Sequence, residues 1–528
     1  MKHSGRRFPA FALPAVLAAA SFYGAAASVC IDNGRQLFVD DSLIAATNGV
    51  VRYWNSPVKL EHPMLRPTAA DGSRSGGCTV ATDGGLWWDP RIRRFRLWYE
   101  DNWAGNLCYA ESADGLVWTF PDLGKVKGTN RVFPDEVAKL NRDLDSWSVW
   151  PDYQATDPYS SWKLLVSKPG SLTPDTIYAS TDGRTFVTVG VAGYSGDRTT
   201  MHFDAILGKW VFSLRDSRKP WGRSRRFHVQ EKCVPNAVPY GFDYGKCSQP
   251  AGTVEPEKWE ELDSLGFGPR GSIYNFDAVP YESLTLGVIE VLHNTPHDNG
   301  DGLEAGLPKQ TSLRFAFSRD GRHFVPAPDS AIKPCGWGSG KWDTGYLSAI
   351  GGICVIKDER LWFYYSALRG DAEMRRKKVG SQPMYRQGMY YNGAIGAATM
   401  RRDGFCGMVA DGNGEIVTRP VKFTGSRLFV NAECLYGEVA AEILGDDGRP
   451  VEGYAAADCR GMKFDDSTKR EFVFRGGDLS RFAGCEVSIR FKLHCATFYS
   501  FWVSPSSRGE SRGYVAGGGP AYQGLRDE

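Results

Sequence analysis

The chain has 528 residues and a formal net charge of +2, with 63 Lys and Arg set among 61 Asp and Glu. That length exceeds what one hydrophobic core serves, so more than one domain is expected. The densest basic cluster, Arg375-Arg376-Lys377-Lys378, lacks an accompanying stripe of basic and aromatic residues, which excludes an electrostatic nucleic-acid binder and marks a solvated loop.

An aromatic content of 13%, with 61 Gly and 29 Pro, favours an all-β protein with many tight turns. The N-terminus runs from Lys2, Arg6 and Arg7 through an apolar stretch, Phe8 to Ala20, to Ala25-Ala26-Ala27. This is the pattern of a secretory signal, residues 1–27, and predicts a secreted or periplasmic protein. No later stretch reaches the ~20 apolar residues that a membrane span needs. The 12 Cys are scattered without metal-ligand spacing, so neither metal nor cofactor is expected. Cys78, Cys354 and Cys495 fall inside strand patterns as small core residues, and Cys233–Cys247 is the pair read as a loop disulfide.

Arg35 to Ile44 reads as a strand entering a turn, followed by Arg52-Tyr53-Trp54 and a Pro-marked extended segment. From Gly76 a pattern recurs: a strand, an Asp-led turn, a strand of bulky alternating residues, a third strand, then Ser-x-Asp-Gly-x-x-aromatic. The closing signature stands at Ser112 to Trp118, Ser180 to Phe186 and Ser318 to Phe324, with a degenerate copy at Arg401-Arg402-Asp403-Gly404-Phe405. Asp-Gly between β runs is a strong turn signal, since Gly accepts positive φ. The Asp-led turn recurs at Asp89-Pro90, Asp157-Pro158, Asp204 and Asp358, and the strand Tyr281 to Ile289 supplies one further unit without it. Five irregularly spaced four-stranded units predict a five-bladed β-propeller over 28–424. Beyond about Gly425 the repeat stops, and alternating strands predict a β-sandwich over 425–504. The Ser-, Gly- and Arg-rich tail, 505–528, reads as disordered.

Inner propeller strands run side by side around the axis, so the residues opening each of them converge at one mouth. Acids stand there: Asp71, Asp145 before Trp147, Asp197 beside Arg198, Asp277, Glu282, and Asp343 after Trp342. A glycosidase needs one protonated and one ionised carboxyl roughly 5–9.5 Å apart, and crowding separates their pKa values. The competing reading of each single Asp is a turn cap. Asp197, Asp343 and Glu282 are the candidate catalytic set, with Asp197 and Asp343 as base or stabiliser and Glu282 as acid. Arg198, Asp145, Asp277, Trp147 and Trp342 are the candidate substrate-binding residues. Trp150 and Trp337 are further aromatics near the mouth, and Arg223, Arg225 and Arg226 could face an anionic substrate.

Gly196-Asp197-Arg198-Thr199-Thr200, Tyr274 to Ser283, Ser318-Arg319-Asp320-Gly321, Asn392-Gly393-Ala394, Arg401 to Phe405 and the opening Gln36 to Asp41 together resemble a group of exported bacterial proteins. That group is assigned to the five-bladed propeller superfamily of glycoside hydrolase families 32, 43, 68 and 130. The resemblance covers about Arg35 to Val503 and implies fold and substrate class: an exported, monomeric hydrolase acting on an oligo- or polysaccharide. The family-32 motifs Asn-Asp-Pro-Asn, Arg-Asp-Pro and Glu-Cys do not stand here in order, so no catalytic residue is carried over. A carbohydrate-binding propeller without turnover, a glycoside phosphorylase and a structural propeller are the alternatives.

Overall fold

The computed structural model describes residues 28–528 apart from 67–78, 102–104, 141–145, 157–160, 168–171, 219–221, 236–237, 260–271, 294–308, 337, 371–377, 380–381 and 384–391. The expected signal segment, Asp71, Asp145, Trp337 and most of the basic cluster therefore lie outside the described residues.

The expected five-bladed propeller is present. Blade one runs Thr79–Asp89, Arg94–Asp101, Asn106–Ser112 and Trp118–Thr119 as a simple antiparallel meander. Blade two starts at Ser146–Pro151, blade three at Thr200–Asp204, blade four at Ser272–Glu282 and blade five at Tyr346–Lys357, each repeating the order from the inside outward. Blade five takes its outermost strand, Val58–Lys59, from the N-terminal side of the chain, which closes the ring. The inner and second strands of blade four, Ser272–Glu282 and Leu284–Leu292, are buried throughout, as befits strands covered on both faces. Trp98, Trp147, Trp162 and Trp210 pack within and between the blades.

The Ser-x-Asp-Gly signature links the third strand to the fourth in blades one, two and four. In blade one, Asp114 Oδ1 accepts the backbone N–H groups of Leu116 and Val117 at 2.8 and 2.9 Å while Ser112 Oγ accepts that of Gly115 at 2.8 Å. Asp182 and Asp320 repeat the arrangement. Gly115, Gly183 and Gly321 have φ of 75°, 66° and 74°, the left-handed region that the turn requires. The signature is thus a self-bonded turn rather than a ligand site.

The residues of the expected C-terminal sandwich belong to a ten-stranded hydrogen-bonded sheet around a second core that includes Phe38, Val430, Ile443, Phe491 and Phe501. Its long strand Ser488–Ser504 pairs with Glu438–Leu444 along its first half and with Arg427–Glu433 along its second, and Cys495 between them has φ of 43°. The sheet also takes in Gln36–Leu37, Ile44–Asn48, Val51–Trp54 and Cys406–Thr418, so both ends of the propeller feed it.

Two expectations are corrected. The tail beyond Ser504 is ordered. Tyr514–Val515 pairs with Tyr281 and Glu282 at the end of the inner strand of blade four. The backbone beyond it bonds to Trp88 of blade one, to Pro280 of blade four, and to Cys354 and Ile356 of blade five. It plugs the end of the propeller axis that lies at the ends of the inner strands. Its glycines, which make the composition look disordered, permit that close approach: a Cβ on Gly519 would lie 1.9 Å from the Ile356 carbonyl oxygen. Gly519→Ala is expected to cost about 1–3 kcal/mol by overpacking, read as a lower denaturant midpoint. The second correction concerns the cysteines. All eleven within the described residues are free, and Cys233 Sγ meets Met201 Sδ at 3.7 Å in the core while Cys247 is exposed.

Candidate active site

Near the starts of the inner strands, charged side chains from blades one, three and four meet a serine hydroxyl of blade five on the axis. Arg198 stands just before the inner strand of blade three, is fully buried, and has φ of 63°. Its Nη2 lies 2.9 Å from each of Asp83 Oδ1 of blade one, Glu290 Oε2 of blade four and Ser348 Oγ of blade five. Those two carboxylate oxygens are therefore at most twice that distance apart, at or below the short end of the roughly 5–9.5 Å over which paired carboxyls cleave glycosides. Ser348 Oγ also donates to Glu290 Oε2 at 2.8 Å.

The strand pairing explains the convergence. Asn275 sits opposite Glu290 on neighbouring strands of blade four, and the bulge beside Asn275 re-aims the strand there. Asn275 Nδ2 donates to Asp83 Oδ1 and, at 3.2 Å, to Asp277 Oδ2. Asp83 occupies its own bulge with φ of 61°, which carries its carboxyl in toward the axis. Arg225 lies behind, donating to the Arg198 carbonyl at 2.7 Å and to Ser213.

Three acids share this water-poor space, so the electrostatics favour protonation. Burial pushes Asp277 up to about 7, with Arg198 opposing and Glu290 adding. Burial likewise raises Asp83 well above the carboxylate range despite Arg198, and Asp277 and Glu290 raise it further. Glu290 is raised by burial against the pull of Arg198 and Ser348. All three carboxyls are thus held above their ordinary values, Asp277 into the neutral range. Asp83 Oδ2, Glu290 Oε1, Asn275 Oδ1 and Arg198 Nε and Nη1 are buried without a hydrogen-bond partner among the described residues. Buried polar atoms left unpaired are costly, and their clustering at one place is the mark of a working site.

The residues expected from the sequence divide. Arg198 and Asp277 belong to the cluster. Asp197 sits at its edge, bound by Arg215 and, at 3.1 Å, by Arg223 Nη2. Asp343 does not join it, because its carboxylate is held by Lys59 Nζ at 2.6 Å and Tyr365 OH at 3.0 Å, both within blade five. Trp342 stacks on Tyr365 with ring centres 5.1 Å apart, and Trp147 is buried in the core. Glu282 lies at the opposite end of the blade-four strand from Ser272. With Asp277 five residues away, it stands roughly 16 Å further along at about 3.3 Å per residue. There it accepts from Arg402 Nη2 at 2.7 Å, the Arg35 backbone N–H at 3.0 Å and Ser511 Oγ at 2.8 Å, fastening the propeller to the second sheet and the tail. Asp83, Asn275, Glu290 and Ser348 were not anticipated from the sequence.

No family model and no curated protein matches the chain. Solved structures similar to it include an N-acetylgalactosamine deacetylase from F. plautii in complex with blood group B trisaccharide, at 12% identity and a TM-score of 0.40 over 67% of this chain and 96% of that one. A thermostable family-43 glycoside hydrolase is similar at 10% identity and a TM-score of 0.39, over 64% and 95% of the two chains. A fructofuranosidase from Schwanniomyces occidentalis complexed with fructosylnystose covers 86% of this chain and 100% of its own, at 10% identity and a TM-score of 0.34.

Proposed function

We propose that the protein is an exported glycan-acting hydrolase whose chemistry is carried by Asp83, Asp277 and Glu290, with Arg198 and Asn275 positioning them. The single observation that carries this reading is the pair of carboxyls of Asp83 and Glu290 on one buried arginine at the propeller axis, with Asp277 joined to them through Asn275 and one oxygen each of Asp83 and Glu290 unpaired among the described residues. Asp277, pushed up to about 7, is suited to hand a proton to the leaving glycosidic oxygen. Glu290 receives hydrogen bonds from Arg198 and Ser348 that favour its ionised form, which suits attack on the sugar carbon or activation of water. Export rests on the N-terminal sequence pattern.

The second reading is a glycan-binding propeller without turnover, favoured by the complete burial of Asp83 and Arg198. Incubating the purified protein with a panel of oligosaccharides, with reducing ends and product masses followed, separates the two. Hydrolysis lost in Glu290→Gln is the expected result; binding without product in the unsubstituted protein would favour the second reading.

A further inference from the structure

Blades one, four and five supply partners for the Arg198 side chain, and the backbone that carries it is held from blade two. The connector Gly196-Asp197-Arg198-Thr199 joins the strand Val187–Ser195 of blade two to the inner strand of blade three. Arg198 stands there in the left-handed region, with φ of 63°, which a long side chain adopts only where its surroundings over-determine the backbone. Those surroundings are hydroxyls. Ser167 Oγ donates to the Gly196 carbonyl at 2.6 Å, the Thr199 backbone N–H donates to Ser146 Oγ at 3.1 Å, and Ser195 Oγ lies 2.6 Å from Thr199 Oγ1. All four side chains are buried.

Behind them stands an acid outside the cluster on the axis. Asp175 lies on the third strand of blade two, Thr173–Ser180, at a bulge that re-aims the strand, and is fully buried. Its Oδ2 accepts from Ser195 Oγ at 2.6 Å and from Tyr240 OH at 2.7 Å. Burial pushes this carboxyl up to about 6 against the pull of Ser195, Tyr240 and Ser167, so above that pH it is an anion that can only accept. That fixes the direction of the chain. Ser195 has one proton; given to Asp175, it leaves Ser195 Oγ to accept from Thr199 Oγ1, while the Gly196 carbonyl keeps the proton of Ser167. The residues that flank Asp197 and Arg198 are thereby tied to one buried carboxylate.

Resting on the hydrolase reading above, we propose that Asp175 is a positioning residue: through Ser195 and Thr199 it holds the connector so that Arg198 meets Asp83 and Glu290 on the axis. Its action is on geometry, exerted from the one blade that the cluster itself does not draw on among the described residues.

The test uses the full chain with three substitutions. Asp175→Asn keeps the shape of the carboxylate but brings donors, which changes the polarity of the chain at Ser195. Thr199→Val breaks the same chain and leaves Asp175 in place, so a failure of Asp175→Asn to fold leaves the test intact; Thr199→Ser retains the hydroxyl. Crystal structures of Asp175→Asn and Thr199→Val are expected to show Arg198 Nη2 out of hydrogen-bond distance of Asp83 Oδ1 or Glu290 Oε2. On the oligosaccharide that the unsubstituted protein cleaves, kcat per folded molecule should fall about 10- to 100-fold, as a misplacement of about 1 Å produces, with KM changed by less than about threefold. Thr199→Ser should restore both the geometry and kcat. Glu282→Gln, at the far end of the axis, is the comparison for lost stability alone. Arg198 in its place in both variants overturns the proposal, as does a kcat per folded molecule that falls no further than in Glu282→Gln. Cleavage by the unsubstituted protein with Arg198 in place in the variants removes the positioning role and leaves the hydrolase reading standing. Glycan binding without cleavage removes the hydrolase reading, and the crystal structures then decide alone: a displaced Arg198 upholds the positioning role and an Arg198 in place removes it.

Discussion

Asp277→Asn is expected to lower turnover by about 10²–10⁴-fold, the usual contribution of a positioned proton donor, while glycan binding survives. The amide keeps the shape of the carboxyl and can still accept from Asn275 Nδ2, which lies 3.2 Å from Asp277 Oδ2. What it removes is the proton. Because burial raises the group to about 7, activity of the unsubstituted protein should fall as pH rises through that value. The stability effect has the opposite sense to that of a salt-bridged carboxylate. A folded value near 7 above an ordinary 3.8 means that the contribution is fully present at pH below 3.8 and is lost as pH rises through about 7. Asp277→Asn should therefore be the more stable protein at pH 8, as chemical denaturation at several pH values will show. Turnover unaffected by this substitution would remove Asp277 from the chemistry.

Glu282→Gln should behave in the contrary way. Its carboxylate is fully buried between Arg402 Nη2 at 2.7 Å and the backbone and side chain of Arg35, with Asp403 sharing the same arginines. Removing one partner of such a network leaves buried positive charge uncompensated and typically costs about 3–5 kcal/mol. The expected result is a large drop in the denaturation midpoint with near-normal turnover per folded molecule. Glu290→Gln should differ in losing turnover per folded molecule, whatever the loss of its pairing with Arg198 costs in stability. A Glu282→Gln protein that is stable and inactive would restore Glu282 to the candidate acid role.

The fold was legible because its repeat is written in turns. Asp-Gly at the third-to-fourth strand link, and Asp89 and Asp204 at the first-to-second link, carry their own hydrogen bonds, so local sequence announces the repeat. The site was legible only where it coincided with such landmarks, as at Asp197-Arg198 and Asp277. Asp83 was hidden because Asp-Gly-Gly reads as a turn, whereas the chain bulges there and continues as strand. Glu290 left a signal that can be read: it is the one charge in the continuous apolar run Leu284–Leu292, and an acid in a strand buried on both faces needs a partner. Asp343 and Glu282 misled for the same reason. Proximity to a strand start or to a turn does not say which end of the propeller the residue occupies or whether a neighbouring cation already holds it. The tail misled through composition, since glycine content signals looseness in isolation and tight packing when another backbone lies against it.

The ring is sealed by an outer strand from residues 58–59, and its axis is plugged by residues beyond 514. During synthesis the early strand must wait for blade five, and blade four stays incomplete until Tyr514–Val515 emerges. Contacts between such distant positions impose a large entropic delay before they stabilise anything. Individual blades can form early, but the native assembly is reached only when the residues around 514–519 are available. Emergence of the residues beyond 514, rather than the appearance of any one blade, thus sets the earliest moment at which the axis is plugged.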